Sequence, residues 1–120
     1  MDTSLAITFL RVVAGLGLMT HGVPKLKNLA GTTAWMKGEG IPAPRASALF
    51  AGVTETFGGL LVALGIFTPY VAAVVALNLL GALTYHLFKR QAFKAMEDAV
   101  LYLALFIFFA LVGGGAYQLI

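Results

Sequence analysis

Charge is nearly absent from four stretches of the chain and gathers between them. Residues 4–23 carry one formal charge, Arg11, and are long enough as a helix to cross about 30 Å of hydrocarbon. Residues 46–88 carry only Glu55 and hold enough chain for two spans. They break at Phe67-Thr68-Pro69-Tyr70, where proline cannot continue a helix, and so predict a hairpin of spans 46–67 and 69–88. Residues 99–120 carry no charge. Glu97 and Asp98 sit where a helix N-terminus favours negative charge, and the glycines at 113–115 end a fourth span, 96–114. The pattern predicts an all-α polytopic membrane protein: four transmembrane helices in an antiparallel bundle, forming a single domain over residues 1–120.

The connection between the first two spans mixes Lys25, Lys27, Lys37, Glu39 and Arg45 with Leu26, Leu29, Trp35, Met36 and Ile41. Such a mixture predicts a loop lying along the membrane interface, anchored by Trp35. Gly40-Ile41-Pro42-Ala43-Pro44 reads as a stiff turn into the second span. Apart from Arg11, every basic residue falls in the first or third connection, so the positive-inside rule puts those loops in the cytoplasm and both termini outside. Topology and anionic lipid headgroups account for the net charge of +3, and no nucleic-acid partner is expected. Met1-Asp2-Thr3-Ser4 is acidic where a cleaved signal peptide needs basic residues, so cleavage is not expected.

Composition agrees with the pattern: 60% of residues are hydrophobic and 11% charged, against roughly 45–50% and about 25% in soluble domains. A soluble four-helix bundle would need a polar face on each helix, and the fourth span has none. The absence of cysteine excludes disulfides, thiolate metal sites and dithiol chemistry within the chain.

Polar residues inside the spans are therefore the candidate site. A lone arginine near mid-bilayer costs at least about 2.5 kcal/mol, so Arg11 calls for a partner, and Glu55, counted to a similar depth on the next span, is the expected one. The face of Arg11 carries Ser4, Thr8, Gly15 and Gly22, and that of Glu55 carries Ala48, Ala51, Gly52, Gly58 and Gly59, small residues that let helices approach closely. The pair reads either as an internal staple that fixes packing or as a site for a quinone headgroup, an anion or a proton. His21, Lys25, His86, Glu97 and Asp98 form a second constellation near the cytoplasmic ends. The two histidines and Lys25 are candidates for ligand binding or proton relay, since imidazole titrates near neutral pH. They equally suit a wet interface where each meets an acidic neighbour. Haem is disfavoured because each histidine lies off the polar face of its own helix, and no metal site is expected. Asn78 is expected to hydrogen-bond across helices, with a ligand role as the alternative. Phe106, Phe108 and Phe109 read as lipid-facing or core packing.

Taken in order, Arg11 followed by Gly15, His21-Gly22-x-x-Lys25, Gly40-Ile41-Pro42-Ala43-Pro44, Glu55-x-x-Gly58-Gly59 and Gly65-Ile66-Phe67-Thr68 resemble the DoxX family of small integral membrane proteins. The resemblance covers nearly the whole chain and implies a four-helix membrane bundle. It also implies kinship with subunits of thiosulfate:quinone oxidoreductase and terminal quinol oxidase systems. Arg11, His21, Lys25 and Glu55 occupy its motif positions, and His86 matches a position where such proteins often carry histidine. No catalytic residue set comes with it.

The reading is thus an inner-membrane accessory or quinone-interacting subunit of a redox system, with a lipid bilayer around it and either self-association or a redox partner subunit. No covalent cofactor is expected, and a quinone is the candidate ligand. The residues leave both a catalytic and a non-catalytic role open. The rivals are a small-solute or anion transporter drawing an anion to Arg11, and a purely structural membrane partner or assembly factor.

Overall fold

The computed structural model describes the backbone of residues 3–90 and 92–119, and among these every regular element is helical. Met1 and Asp2, on which the argument against a cleaved leader turned, lie outside the described residues. Five helices follow in order: α1 (Thr3–Lys27), α2 (Leu29–Gly38), α3 (Pro44–Leu64), α4 (Thr68–Phe88) and α5 (Phe93–Val112). Three of them, α1, α3 and α4, are long and apolar enough to cross a membrane. Helix α5 has 20 residues, with Lys94, Glu97 and Asp98 in its first two turns and an uncharged run thereafter.

The boundaries differ from the sequence expectation in instructive ways. Helix α1 does not stop at residue 23: Pro24 lies inside it, and the helix runs one more turn to Lys27. Proline's fixed φ suits a helix, and the missing N–H removes one hydrogen bond close to an end that would fray in any case. The expected interfacial loop is largely helix α2, whose first turn is capped by the Asn28 side chain accepting the Gly31 N–H at 3.2 Å. Helix α3 begins at Pro44, which occupies a first turn where its missing N–H would have had no partner. It ends at Leu64 rather than 67, because Gly65 and Phe67 both turn left-handed, at φ +76° and +48°. Pro69 then falls in the first turn of α4.

Within α3, residues Thr54–Gly58 open into a single π-turn. Such a turn inserts an extra residue into the helix and re-aims the side chains around it. Helices α1 and α3 run antiparallel at backbone contact, with Gly15 against Gly59 and Ala63, Gly22 against Glu55 and Thr56, and Gly52 against Leu26. The small faces foreseen from the sequence meet there, although Gly58 turns to Val75 of α4 and Ala48 and Ala51 turn to Met36 of α2. A methyl group on Gly15 would strike the Gly59 carbonyl oxygen and come within 2.8 Å of the Ala63 nitrogen, both backbone atoms that cannot swing aside. Gly15→Ala is therefore expected to lower stability by about 1–3 kcal/mol. Unfolding in mixed micelles measures this, with Gly81→Ala, whose added carbon meets nothing within 4 Å, expected to stabilise by up to about 1 kcal/mol through helix propensity.

Helices α4 and α5 make the second broad contact of the fold, after that of α1 with α3. Ala72, Val75 and Leu79 of α4 pack with Phe106 and Phe109 of α5, and Ala14, Leu18 and Val62 join them from the other pair. Beyond Val112 the chain folds back over the end of the bundle where α1 begins. Gly115 lies against Ile7, Gly114 against Thr68, and Gln118 over Gly65.

Candidate functional site

Glu55 sits in the π-turn and is 4% exposed. Both carboxylate oxygens accept from the Lys25 ammonium, at 2.7 and 2.8 Å, and Oε2 also accepts from Asn78 Nδ2 at 3.0 Å. Three helices supply this cluster. Lys25 belongs to the turn of α1 that continues past Pro24, Glu55 is brought to it by the close approach at Gly22, and Asn78 comes from the middle of α4. The buried charge is thereby neutralised and hydrogen-bonded, as a charge away from water must be.

The predicted pairing of Arg11 with Glu55 is corrected by these contacts. Arg11 is 2% exposed, but its guanidinium donates to the carbonyl oxygens of Gly114 at 2.6 Å and Tyr117 at 3.2 Å, in the segment folded back after α5. Its Nε is buried without a hydrogen-bond partner among the described residues. The reason is register. Glu55 lies level with Gly22, so Arg11 stands about 16 Å away along α1 at about 1.5 Å per residue. Equating the midpoints of spans 4–23 and 46–67 misplaced the two helices, because they pack staggered along their axes: Gly15 meets Gly59 and Ala63, and Gly22 meets Glu55 and Thr56.

Glu55 fronts two cavities. The larger, about 1160 Å³, opens between α2, α3 and α4; Lys25, Glu55 and Asn78 lie along it with apolar walls that include Trp35, Met36, Phe50 and Leu77. Across its mouth, Trp35 meets Tyr85 edge to face with ring centres 5.9 Å apart, and Glu39 pairs with Lys89 at 4.0 Å. The smaller, about 210 Å³, is about half polar and lies between α1, α4 and α5, lined in part by His21, Asp98 and Tyr102. Lys25, Glu55, Ala82 and His86 line both, forming a partition between them. His21 stands 3.9 Å from Asp98 and packs edge-on against Tyr102, with ring centres 5.5 Å apart.

The Lys25–Glu55–Asn78 cluster lies within the segment that the model of the DoxX family matches, residues 6–87, whereas Lys89, Asp98 and Tyr102 lie beyond it. The chain belongs to the DoxX family. A relative in Bacillus subtilis (strain 168), named "Putative oxidoreductase CatD", is 33% identical over 104 residues, which cover 87% of this chain and 76% of the relative. No solved structure matches the chain significantly. Family and apolar helices together make this a membrane protein.

Of the residues singled out in this DoxX member, Lys25, Glu55 and Asn78 are in direct contact, and His21 and His86 line the chamber beside them. Arg11 is not part of the site, and Glu97 lines neither cavity. Among the described residues, no three His, Asp or Glu side chains gather as a metal site requires. Sequence reading missed Tyr102, and it missed Lys25 as the partner of Glu55. The one available signal was a helical spacing that continues through Pro24 to place His21 and Lys25 one turn apart.

Proposed function

We propose that this DoxX protein is a four-span inner-membrane subunit of a redox system, and that it holds a quinone headgroup in the cleft between α2, α3 and α4. The carrying observation is a buried, doubly satisfied carboxylate on an apolar cleft. Lys25 spends two of its three N–H groups on Glu55 and Asn78 one of its two, so each keeps a donor for a quinone carbonyl. Apolar walls with a few convergent polar groups are the usual make-up of a small-molecule site. Helix α5 is the fourth span in this reading, and the basic end, with Lys25, Lys27, Lys89, Arg90 and Lys94, faces the cytoplasm. Electrons come from a partner subunit, in keeping with the oxidoreductase name carried by the Bacillus relative. The transport reading loses its motive, because the guanidinium offered to an anion is engaged with two backbone carbonyls.

Trp35 is the sole tryptophan and stands in the cleft wall, so its fluorescence reports occupancy. In phosphatidylcholine nanodiscs, ubiquinone-1 is expected to quench it saturably. Gly81 lines the same cleft and has open space before it. Gly81→Phe should therefore fill the cleft without disturbing the fold and weaken the quenching affinity about tenfold or more, a loss of about 1.4 kcal/mol. Quenching that never saturates, or that Gly81→Phe leaves unchanged, removes the quinone reading.

A further inference from the structure

A carboxylate with a largely apolar cleft on one side and a small chamber of mixed lining on the other has two different neighbours, and the chamber is not needed to hold a ligand. Its contents suggest another task. On α1 it presents His21 and Lys25, on α3 Glu55, on α4 His86, and on α5 Asp98 and Tyr102, with Leu18, Leu79, Ala82 and Ala99 filling between them. About 210 Å³ is room for several water molecules at about 30 Å³ each, and the polar lining offers them partners. Its outer members reach the surface of the bundle at the basic end: the side chains of His21 and Asp98 are 42% and 74% exposed, whereas that of Glu55 is 5% exposed. A chain of titratable groups thus descends from the basic end to the partition, and only there does it meet the cleft.

We propose that the small chamber is the proton inlet of the site. Protons pass from solvent at the basic end through His21 and His86 to the Lys25–Glu55 pair, which exchanges them with whatever occupies the cleft. This rests on the quinone reading for the identity of the acceptor. If an external two-electron donor reduces a cleft-bound quinone to the quinol, the two protons that balance the change reach it across this partition. On the cleft side Asn78 holds Glu55, while Glu39, Tyr85 and Lys89 lie at the mouth. Lys89 belongs to the basic end as well, so the cleft is the competing route that Gly81→Phe tests.

The test follows the proton and needs no turnover. In full-length protein in phosphatidylcholine nanodiscs, the Glu55 carboxyl band is identified by infrared difference spectroscopy with 13C-glutamate and Glu55→Gln. Its rate of protonation is then read after a pH jump. His21→Ala, His86→Leu and the chamber-filling Ala99→Leu should each slow that rate about tenfold or more, the lower range for a positioned acid or base. Added imidazole should restore it in His21→Ala alone. Glu97→Gln, next to Asp98 but lining neither cavity, should leave it unchanged. Unaltered rates in the three chamber variants overturn the proposal, as does slowing by the cleft-filling Gly81→Phe without slowing by the chamber variants. Trp35 quenching by ubiquinone-1, measured on the same samples, separates the two claims. Chamber-dependent rates without saturable quenching leave the inlet standing and remove the quinone, and saturable quenching with chamber-independent rates does the reverse.

Discussion

Lys25→Met is expected to destabilise the protein by about 3 kcal/mol, because it leaves the Glu55 carboxylate buried with Asn78 as its remaining donor. Glu55→Leu should cost a similar amount, stranding Asn78 and leaving Lys25 without its acceptor. The side chain of Lys25 is 33% exposed, so its ammonium recovers part of its hydration and this second loss falls at the lower end. The double variant Lys25→Met/Glu55→Leu should recover much of the deficit, since replacing a buried ion pair by apolar groups is often near neutral. Reversible unfolding in mixed micelles gives the coupling energy. A value under about 0.5 kcal/mol, the level of independent sites, would show that the pair does not hold the partition together. The same cycle built on Arg11 and Glu55 should be additive, as the two groups stand about 16 Å apart along α1.

Arg11→Met should release the segment that follows α5. The substitution removes donors from two carbonyls, of which the bond to Gly114 is buried, and each orphaned carbonyl costs about 1–3 kcal/mol. Loss of the buried charge offsets part of this, so the net expectation is a destabilisation of about 2 kcal/mol. The more telling readout is local: amide hydrogen exchange over residues 113–119 should quicken about tenfold or more while α3 around Glu55 keeps its protection. Arg11→Lys should fall between wild type and methionine, because one ammonium cannot span both carbonyls as a planar guanidinium does. Uniform loss of protection through the whole bundle would instead assign Arg11 to the core packing of α1 and α3.

These two expectations rest on partners that the sequence paired otherwise. It was legible that Arg11 and Glu55 are both buried, since an isolated charge in an apolar run has no water to turn to. The small faces around Gly15, Gly22, Gly52 and Gly59 were legible too, because helical periodicity alone aligns them. So was a cross-helix bond from Asn78. The choice of partner was not. It depends on the stagger at which the small faces of α1 and α3 meet, and on α1 continuing through Pro24 to carry Lys25 to the level of Glu55. A proline within one turn of a helix end is compatible with either outcome, and only the packing of the following residues decides. The π-turn at Thr54–Gly58 was invisible for the same reason, for its residues meet Gly22 and Lys25 of α1 and Val75 and Asn78 of α4, partners that only the packing supplies.

Sequence by itself determined that this chain is helical, apolar and poor in charge, and it marked the few polar residues that any account of function must explain. Solvation sets those properties residue by residue, so they can be read without coordinates. Tertiary structure decided that Lys25 rather than Arg11 neutralises Glu55, that the guanidinium fastens the returning segment instead, and that one carboxylate stands between a cleft and a small chamber. Each is a matter of which groups meet, and meeting is settled by packing at the level of single ångströms between helices far apart in the chain.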